Sequence, residues 1–332
     1  MKRLVLASLL ALACLPALAQ DGADPFVGRW ALDLPGNAAG WLEVKQEDGW
    51  LDGSVLWGGG SVLPLDSVYI EDGTLRAARG NTVERKLPDG TVRSQYVSDL
   101  YAFTVKGDTI TGTRVSPRSD GTGVASVKVT GKRIPPLPPA PDLAKLKFGE
   151  PVTLFNGKNL DRWKPLGLGK NGWRAENGVL VNDARQEEGK PKVHYANLRT
   201  EAEFEDFNLT LEVSVPKDGN SGIYLRGVYE VQVLDSYGKP LDTHNMGGIY
   251  SRVAPASAAE KPAGEWQTMD ITLADRHVTV ILNGVKILDN IPLAGCTGGA
   301  LWADEFRPGP LYLQGDHTAV QYRNLILRPV IK

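Results

Sequence analysis

The amino-acid sequence predicts an all-β protein, with a β-sandwich in its second half and a small antiparallel barrel or sandwich in its first. Three observations carry that expectation. Apolar and polar residues alternate over short runs, the signature of strands with one buried face. Turn residues divide the runs, with 37 Gly and 22 Pro among 332 residues. No long helical period interrupts residues 25–134.

Residues 1–20 read as a secretory signal. Lys2 and Arg3 form a positive start, residues 4–15 an apolar stretch, and Ala17-Leu18-Ala19 a small-residue cleavage site before Gln20. The mature protein is therefore expected to be exported, to the periplasm or beyond. Cys14 follows Ala11-Leu12-Ala13, but a lipoprotein site wants a large aliphatic residue where Ala11 stands, so lipid anchoring is the lesser expectation. Cleavage leaves Cys296 as the single thiol, so no internal disulfide can form and stability must come from burial.

Residues 21–134 form the first expected domain. "WLEVKQEDGWLDGSVLW" reads as two strands, residues 41–44 and 51–57, around a turn at Glu47-Asp48-Gly49. Asp89-Gly90 and Gly107-Asp108 mark two further hairpins, because Asp and Gly tolerate the positive backbone angles of tight turns. The opening "FVGRW" and the hairpin "GDTITGT" resemble lipocalin-like barrels. Residues 135–147 follow as a proline-rich, stiff linker, since proline removes backbone donors and favours an extended chain.

Residues 148–332 are again strand-rich. Strands are predicted at residues 208–215, 222–226, 229–234, 265–273, 277–282, 311–314 and 320–327, with a hairpin turn at Asn283-Gly284. Short strands at regular spacing point to a sandwich rather than an α/β fold, with a short helical turn expected near residues 256–259. No stretch after the leader is long and apolar enough to span a bilayer. Net charge is −2 without a basic run, which argues against nucleic acid and anionic membrane surfaces as partners. Nothing in the sequence sets an oligomeric state.

The segment "NSGIYLRGVYEVQVLDSYG" carries the candidate chemistry. Strand side chains alternate between faces. Ile223, Leu225, Tyr229, Val231 and Val233 would pack inward, while Tyr224, Arg226, Glu230 and Gln232 would share the other surface. An aromatic ring, a guanidinium, a carboxylate and an amide are the parts that hold a sugar, the ring stacking and the polar groups reading hydroxyls. In "FNLTLEVSV", Glu212 lies opposite the apolar positions, and near the C-terminus Gln314 precedes Asp316 and His317. A charged strand face is ordinarily just solvated surface. Here the mixture of aromatics and amides, and a histidine in "QGDHT", tilt the reading toward a site.

His317 is the preferred histidine of four, because Asp316 and Gln314 accompany it; His277 reads as structural, and His244 as a solvated residue of a Gly-rich loop. No zinc-binding spacing and no G-x-S-x-G elbow occurs, and Cys296 lacks an activating neighbour. Glu230 and Asp235 are five residues apart and face opposite sides of one strand, so they cannot flank a glycosidic bond as an ordinary carboxylate pair.

Several motifs occur in order: "TLFNGKNLDRW", "NGWRAENGVL", "LRTEAEFEDFNLTLEV", "GNSGIYLRGVYEVQVLD", "VILNGVKI" and "YLQGDHTAVQYRNLIL". Through them, from about residue 148 to 330, the chain resembles the 3-keto-disaccharide hydrolase domain. The resemblance implies a concanavalin A-like jelly roll. It also implies an enzyme acting on glycosides already oxidised to a ketone at C3, as hydrolase, lyase or hydratase. A divalent metal serves some members, so a metal is an open expectation here and no cofactor is certain. Glu230 and His317 would be the catalytic acid and base, in either order. Tyr224, Arg226, Gln232, Gln314, Glu212 and Asp316 would bind substrate. The rival readings are a non-catalytic carbohydrate-binding module and an adhesion component using Trp50 and Trp57.

Overall fold

The structure, a computed structural model, describes residues 25–118, 121–187 and 189–332. The leader expected at residues 1–20, with Cys14, lies outside them.

Nine strands build the first unit. They are β1 (Gly28–Leu34), β2 (Ala38–Glu47), β3 (Trp50–Trp57), β4 (Leu63–Pro64) and β5 (Ser67–Glu71). β6 (Thr74–Lys86), β7 (Val92–Lys106), β8 (Thr109–Pro117) and β9 (Val124–Ile134) complete it. The order β4-β3-β2-β1-β9-β8-β7-β6-β5 is an antiparallel meander whose first strand pairs with its last. Closure falls between β4 and β5: Leu65 N donates to Gly53 O on β3, and Asp66 N to Ala78 O on β6. A sheet closed on itself leaves no free edge. The turns arise where Asp-Gly predicts them, with Asp48 and Gly49 at φ 50° and 84°.

The second unit begins with β10 (Lys147–Phe148), β11 (Val152–Thr153), β12 (Trp163–Leu166), β13 (Trp173–Glu176) and β14 (Val179–Asn182). β15 (Asn197–Thr200), β16 (Phe207–Ser214), β17 (Asn220–Leu225) and β18 (Tyr229–Leu234) follow. Then come β19 (Gln267–Ala274), β20 (His277–Leu282), β21 (Val285–Pro292), β22 (Tyr312–Leu313) and β23 (Val320–Ile331). One sheet runs β13-β14-β23-β16-β19-β20-β21, with β10 and β11 also on β23; the other runs β12-β15-β22-β17-β18. Between them lie Leu209, Leu211 and Val213 of β16, Ile223 and Leu225 of β17, and Val231 and Val233 of β18, all buried. The protein is all-β, a concanavalin A-like jelly-roll sandwich behind a small antiparallel β-barrel.

No helix forms at residues 256–259, contrary to the sequence expectation. Ala256 N instead donates to Ile287 O of β21, and the Glu260 carboxylate accepts from Ser236 Oγ at 2.7 Å, which ties the segment to its neighbours at both ends. The helical turns among the described residues are single 3-10 turns at Pro35–Asn37 and Leu143–Lys145.

The barrel wall and the sandwich share one apolar cluster. Ala39, Trp41, Leu56 and Ile134 are buried within it, beside Cys296 and Leu293. Arg252 lies over the Trp41 ring at 4.3 Å. Each large apolar side chain so buried contributes on the order of 2 kcal/mol. Burial also pushes the Cys296 thiol up to about 12, so it stays protonated and unreactive at neutral pH.

Candidate functional site

The face of the five-stranded sheet turned away from the sandwich core gathers most of the polar groups singled out in the sequence. Along β17, Ser221, Ile223 and Leu225 point inward, with Ser221 Oγ 2.9 Å from Tyr322 Oη. Asn220, Gly222 and Tyr224 alternate to the outer face. Register places Tyr224 between Glu230 of β18 and Tyr312 of β22. Gly222 pairs with Gln232 on one side, and its carbonyl accepts the Gln314 amide on the other.

Gly222 is the gap that the site is built around. A Cβ there would lie 2.1 Å from Glu230 Oε1, so the missing side chain makes room for the carboxyl group. Glu230 is buried, and its Oε2 lies 2.8 Å from Tyr224 Oη. Tyr224 Oη is also 2.7 Å from Gly298 O. A phenol has one proton and a carbonyl has none to give. When Tyr224 donates to Gly298, its contact with Glu230 requires the proton to sit on the carboxyl group. The electrostatics agree: desolvation raises the Glu230 pKa to about 8, the Tyr224 hydrogen bond opposes that rise, and the charge of Asp316 adds to it. At neutral pH Glu230 is a neutral acid.

The ring of Tyr224 stacks on that of Tyr312, with centroids 3.8 Å apart and planes at 13°. Tyr312 Oη donates to Gly299 O at 2.7 Å. Burial holds both phenols well above their ordinary pKa, so neither ionises near neutrality. The carbonyls that receive them belong to the stretch between β21 and β22, which folds back over this face. Thr297 clips it down, accepting Glu230 N at 2.9 Å and donating to Val228 O at 3.1 Å.

The rim is polar. His317 Nδ1 and Asp316 Oδ1 are 2.7 Å apart, and both side chains are half exposed. A proton on Nδ1 donated to Asp316 leaves the Nε2 lone pair free as a base. Gln314 Oε1 and Asn220 Oδ1 are buried without a hydrogen-bond partner among the described residues. Buried acceptors of this kind favour a ligand or water that donates hydroxyl protons. Arg199 of β15 pairs in register with Tyr312 and is largely covered, with Nη2 3.3 Å from Glu203. Its register puts it on the face of the stacked tyrosines, with Nε donating to Thr200 O at 3.1 Å.

Arg226, expected on this face, is elsewhere. β17 ends at Leu225 and Arg226 takes φ 55°, so strand alternation no longer governs it. Its guanidinium donates to Glu305 O at 2.9 Å and Arg307 O at 2.6 Å, tying down a loop. Glu212 belongs to the opposite sheet. It accepts from Arg323 and Asn324, and the Arg323 hydrogen bond chiefly lowers its pKa. Glu212 and Glu230 therefore cannot act on one bond. Gln232 is on the expected face but buried, its Oε1 accepting Val233 N at 3.1 Å.

Sequence reasoning did not reach Arg199 or the loop of Thr297, Gly298 and Gly299. The signal for Arg199 was present: it stands one residue after buried Leu198, hence on the outer face. His277 is structural, with Nδ1 2.9 Å from Asp275 O. His244 lies 3.1 Å from Ser61 Oγ of the barrel.

A resident metal does not find its ligands here. Among the described residues no three His, Cys, Asp or Glu side chains converge on one point, and the unpartnered acceptors are neutral amides. A separate recess of about 550 Å³ at the β13–β14 edge is lined by Arg174, Glu176, Asp183 and Arg185, which pair with one another.

A jelly roll carrying an acid, stacked aromatics and free amide acceptors on one sheet face defines a carbohydrate-active protein. The chain belongs to the family described as the 3-keto-alpha-glucoside-1,2-lyase-like domain, which matches residues 150–328. Two solved structures from Parabacteroides distasonis ATCC 8503, each provisionally assigned as a glycosyl hydrolase, are similar. One is 28% identical over 60% of this chain and 94% of its own, with a TM-score of 0.44. The other is 22% identical over 55% and 94%, with a TM-score of 0.42. The carbohydrate-binding module CBM66 from Bacillus subtilis is 13% identical over 49% and 93%, with a TM-score of 0.33. Among curated proteins none matches the chain.

Proposed function

We propose that the protein is an exported enzyme that cleaves 3-keto-glycosides by proton abstraction at C2 and β-elimination at C1. The observation that carries this reading is a neutral carboxylic acid, Glu230, on which the charge of Asp316 acts, with Asp316 in turn paired to His317 in the turn after β22. A ketone at C3 acidifies the proton on C2. His317 Nε2 takes that proton, and Asp316 stabilises the imidazolium that forms. The C2–H electrons form the enediolate and then the C1–C2 double bond, while the C1–oxygen bond breaks. Glu230 gives its proton to the departing aglycone oxygen, leaving a 2-hydroxy-3-keto-glucal and a free alcohol. Addition of water across the new double bond gives net hydrolysis. No oxocarbenium ion arises, so a second carboxylate across the bond is unnecessary.

Arg199 is the guanidinium suited to the negative charge that develops on the C3 oxygen, and the Gln314 and Asn220 amides suit the sugar hydroxyls. The stacked tyrosines wall the acid from water, which keeps its proton in place.

The test is incubation of mature protein with a 3-keto-glucoside and with its unoxidised parent, alongside Glu230→Gln. Aglycone release from the keto substrate only is expected, falling by about 10²–10⁴-fold in the variant, with an alkaline decline in rate near pH 8 as Glu230 loses its proton. Binding without turnover of either sugar overturns the reading in favour of a binding module.

A further inference from the structure

The barrel reaches the site through one turn. After β3, residues 58–62 leave the barrel and lie against the sandwich. Gly299 N donates to Gly58 O at 3.3 Å, Ser61 Oγ lies 3.1 Å from His244 Nε2, and Val62 N donates to Ser251 Oγ at 2.8 Å. These contacts meet the two segments that hold Glu230. The carbonyls of Gly298 and Gly299 receive the Tyr224 and Tyr312 hydroxyls. His244 stands edge-on to Tyr250, whose amide donates to Glu230 O.

We infer that the barrel is a positioning element of the active site: its 58–62 turn presses the Gly298–Gly299 segment onto the tyrosine pair and so holds Glu230 in its dry setting. The inference rests on the function proposed above only for the name of the reaction. Thr297 N and Leu301 N anchor the first segment to Val228 O and Gly227 O, and between those anchors Gly298 and Gly299 rest against the barrel turn. Gly298 shows how close the backing is. A Cβ there would meet Gly60 O at 2.0 Å and Gly60 N at 2.7 Å, all three nearest atoms belonging to Gly60. Gly298 does not adopt a positive φ, so alanine suits its backbone and the barrel alone forbids it. Glycine lets the two chains touch. Gly59, in the same turn, is different: a Cβ there meets nothing within 4 Å, and its φ is not positive.

Gly298→Ala therefore pries the barrel from the loop without touching the sheet or the barrel interior, and Gly59→Ala is its control. The first readout needs no substrate: the titration of Glu230 by carbon-13 NMR of glutamate-labelled protein, its resonance identified by loss in Glu230→Gln. Tyr224, Tyr312, Tyr322 and Asp316 are the titratable groups that interact with it. Wild type and Gly59→Ala should titrate near 8. Gly298→Ala should titrate at least one unit lower, as water reaches the carboxyl group, with kcat on a 3-keto-glucoside falling at least tenfold and KM moving less. An unchanged titration in folded Gly298→Ala overturns the inference. Should that variant not fold, Ser61→Ala, which adds no volume, carries the test: a lowered midpoint supports the inference and an unchanged one overturns it. A shifted titration without turnover of any 3-keto-glucoside by any variant leaves the positioning intact and rejects the proposed reaction instead.

Discussion

Glu230 and Glu212 are two glutamates on one sandwich, each directed away from its core, one on each sheet. Glu212 lies on the nine-stranded sheet, held by Arg323 and Asn324, with Arg323 itself 4.0 Å over the Trp266 ring. That partnership favours the carboxylate and keeps it ionised. Glu230 has a phenol and, among the described residues, no paired cation beside it, and it is buried under the loop of Gly298 and Gly299. The strand pattern is the same; the cover differs. Charge state on a sheet face is decided by what lies above the face, which is how one fold carries a structural carboxylate and a chemical one.

The largest test of that contrast is stability against pH. Glu230 titrates near 8 in the folded protein and near 4.5 unfolded. Between those values the folded state holds a proton that the unfolded state lacks. The stability linked to that proton is fully present below the unfolded pKa and is lost as pH rises through the folded one. At about 1.4 kcal/mol per unit, the loss by pH 9 is several kcal/mol. Glu230→Gln has no proton to lose. Its stability relative to wild type should rise by that amount from pH 5 to pH 9 in urea titrations, and a constant difference would show Glu230 to be ionised throughout.

Next in size is Gly222→Ala. Its Cβ would lie 2.1 Å from Glu230 Oε1, so the carboxyl group must move and its contact with Tyr224 is disturbed. Overpacking of this kind costs about 1–3 kcal/mol. The alkaline limb of the pH–rate profile should shift with it, which Gly59→Ala should not reproduce.

Alternation along residues 220–234 was enough to bring Tyr224, Glu230 and Gln232 to one face, because β17 and β18 are regular and pair in register. It failed for Arg226 at a boundary one residue early, where a left-handed turn redirects the side chain. It failed for Glu212 because alternation fixes a face within a strand but not which sheet the strand joins. The barrel's hairpins were legible from Asp-Gly pairs, whereas its closure through Leu65 and Asp66 depends on pairing between distant strands. The loop over Glu230 was invisible for the same reason: Gly298 and Gly299 contact Tyr224, Tyr312 and Gly60 across long stretches of chain. The neutral state of Glu230 is a property of that cover and has no local signature.

Glu212→Gln should produce the smallest effect, and its sign completes the comparison. The folded pKa of Glu212 is depressed, so its ion pair contributes stability above the unfolded value and loses it as pH falls through the folded one. An exposed pair is worth about 0–1 kcal/mol at most. The variant should therefore lose a small increment at pH 7, regain parity with wild type in acid, and keep its turnover within about twofold, as expected of a surface change remote from the chemistry. A large loss of turnover would place chemistry on the nine-stranded sheet and erase the distinction between the two carboxylates.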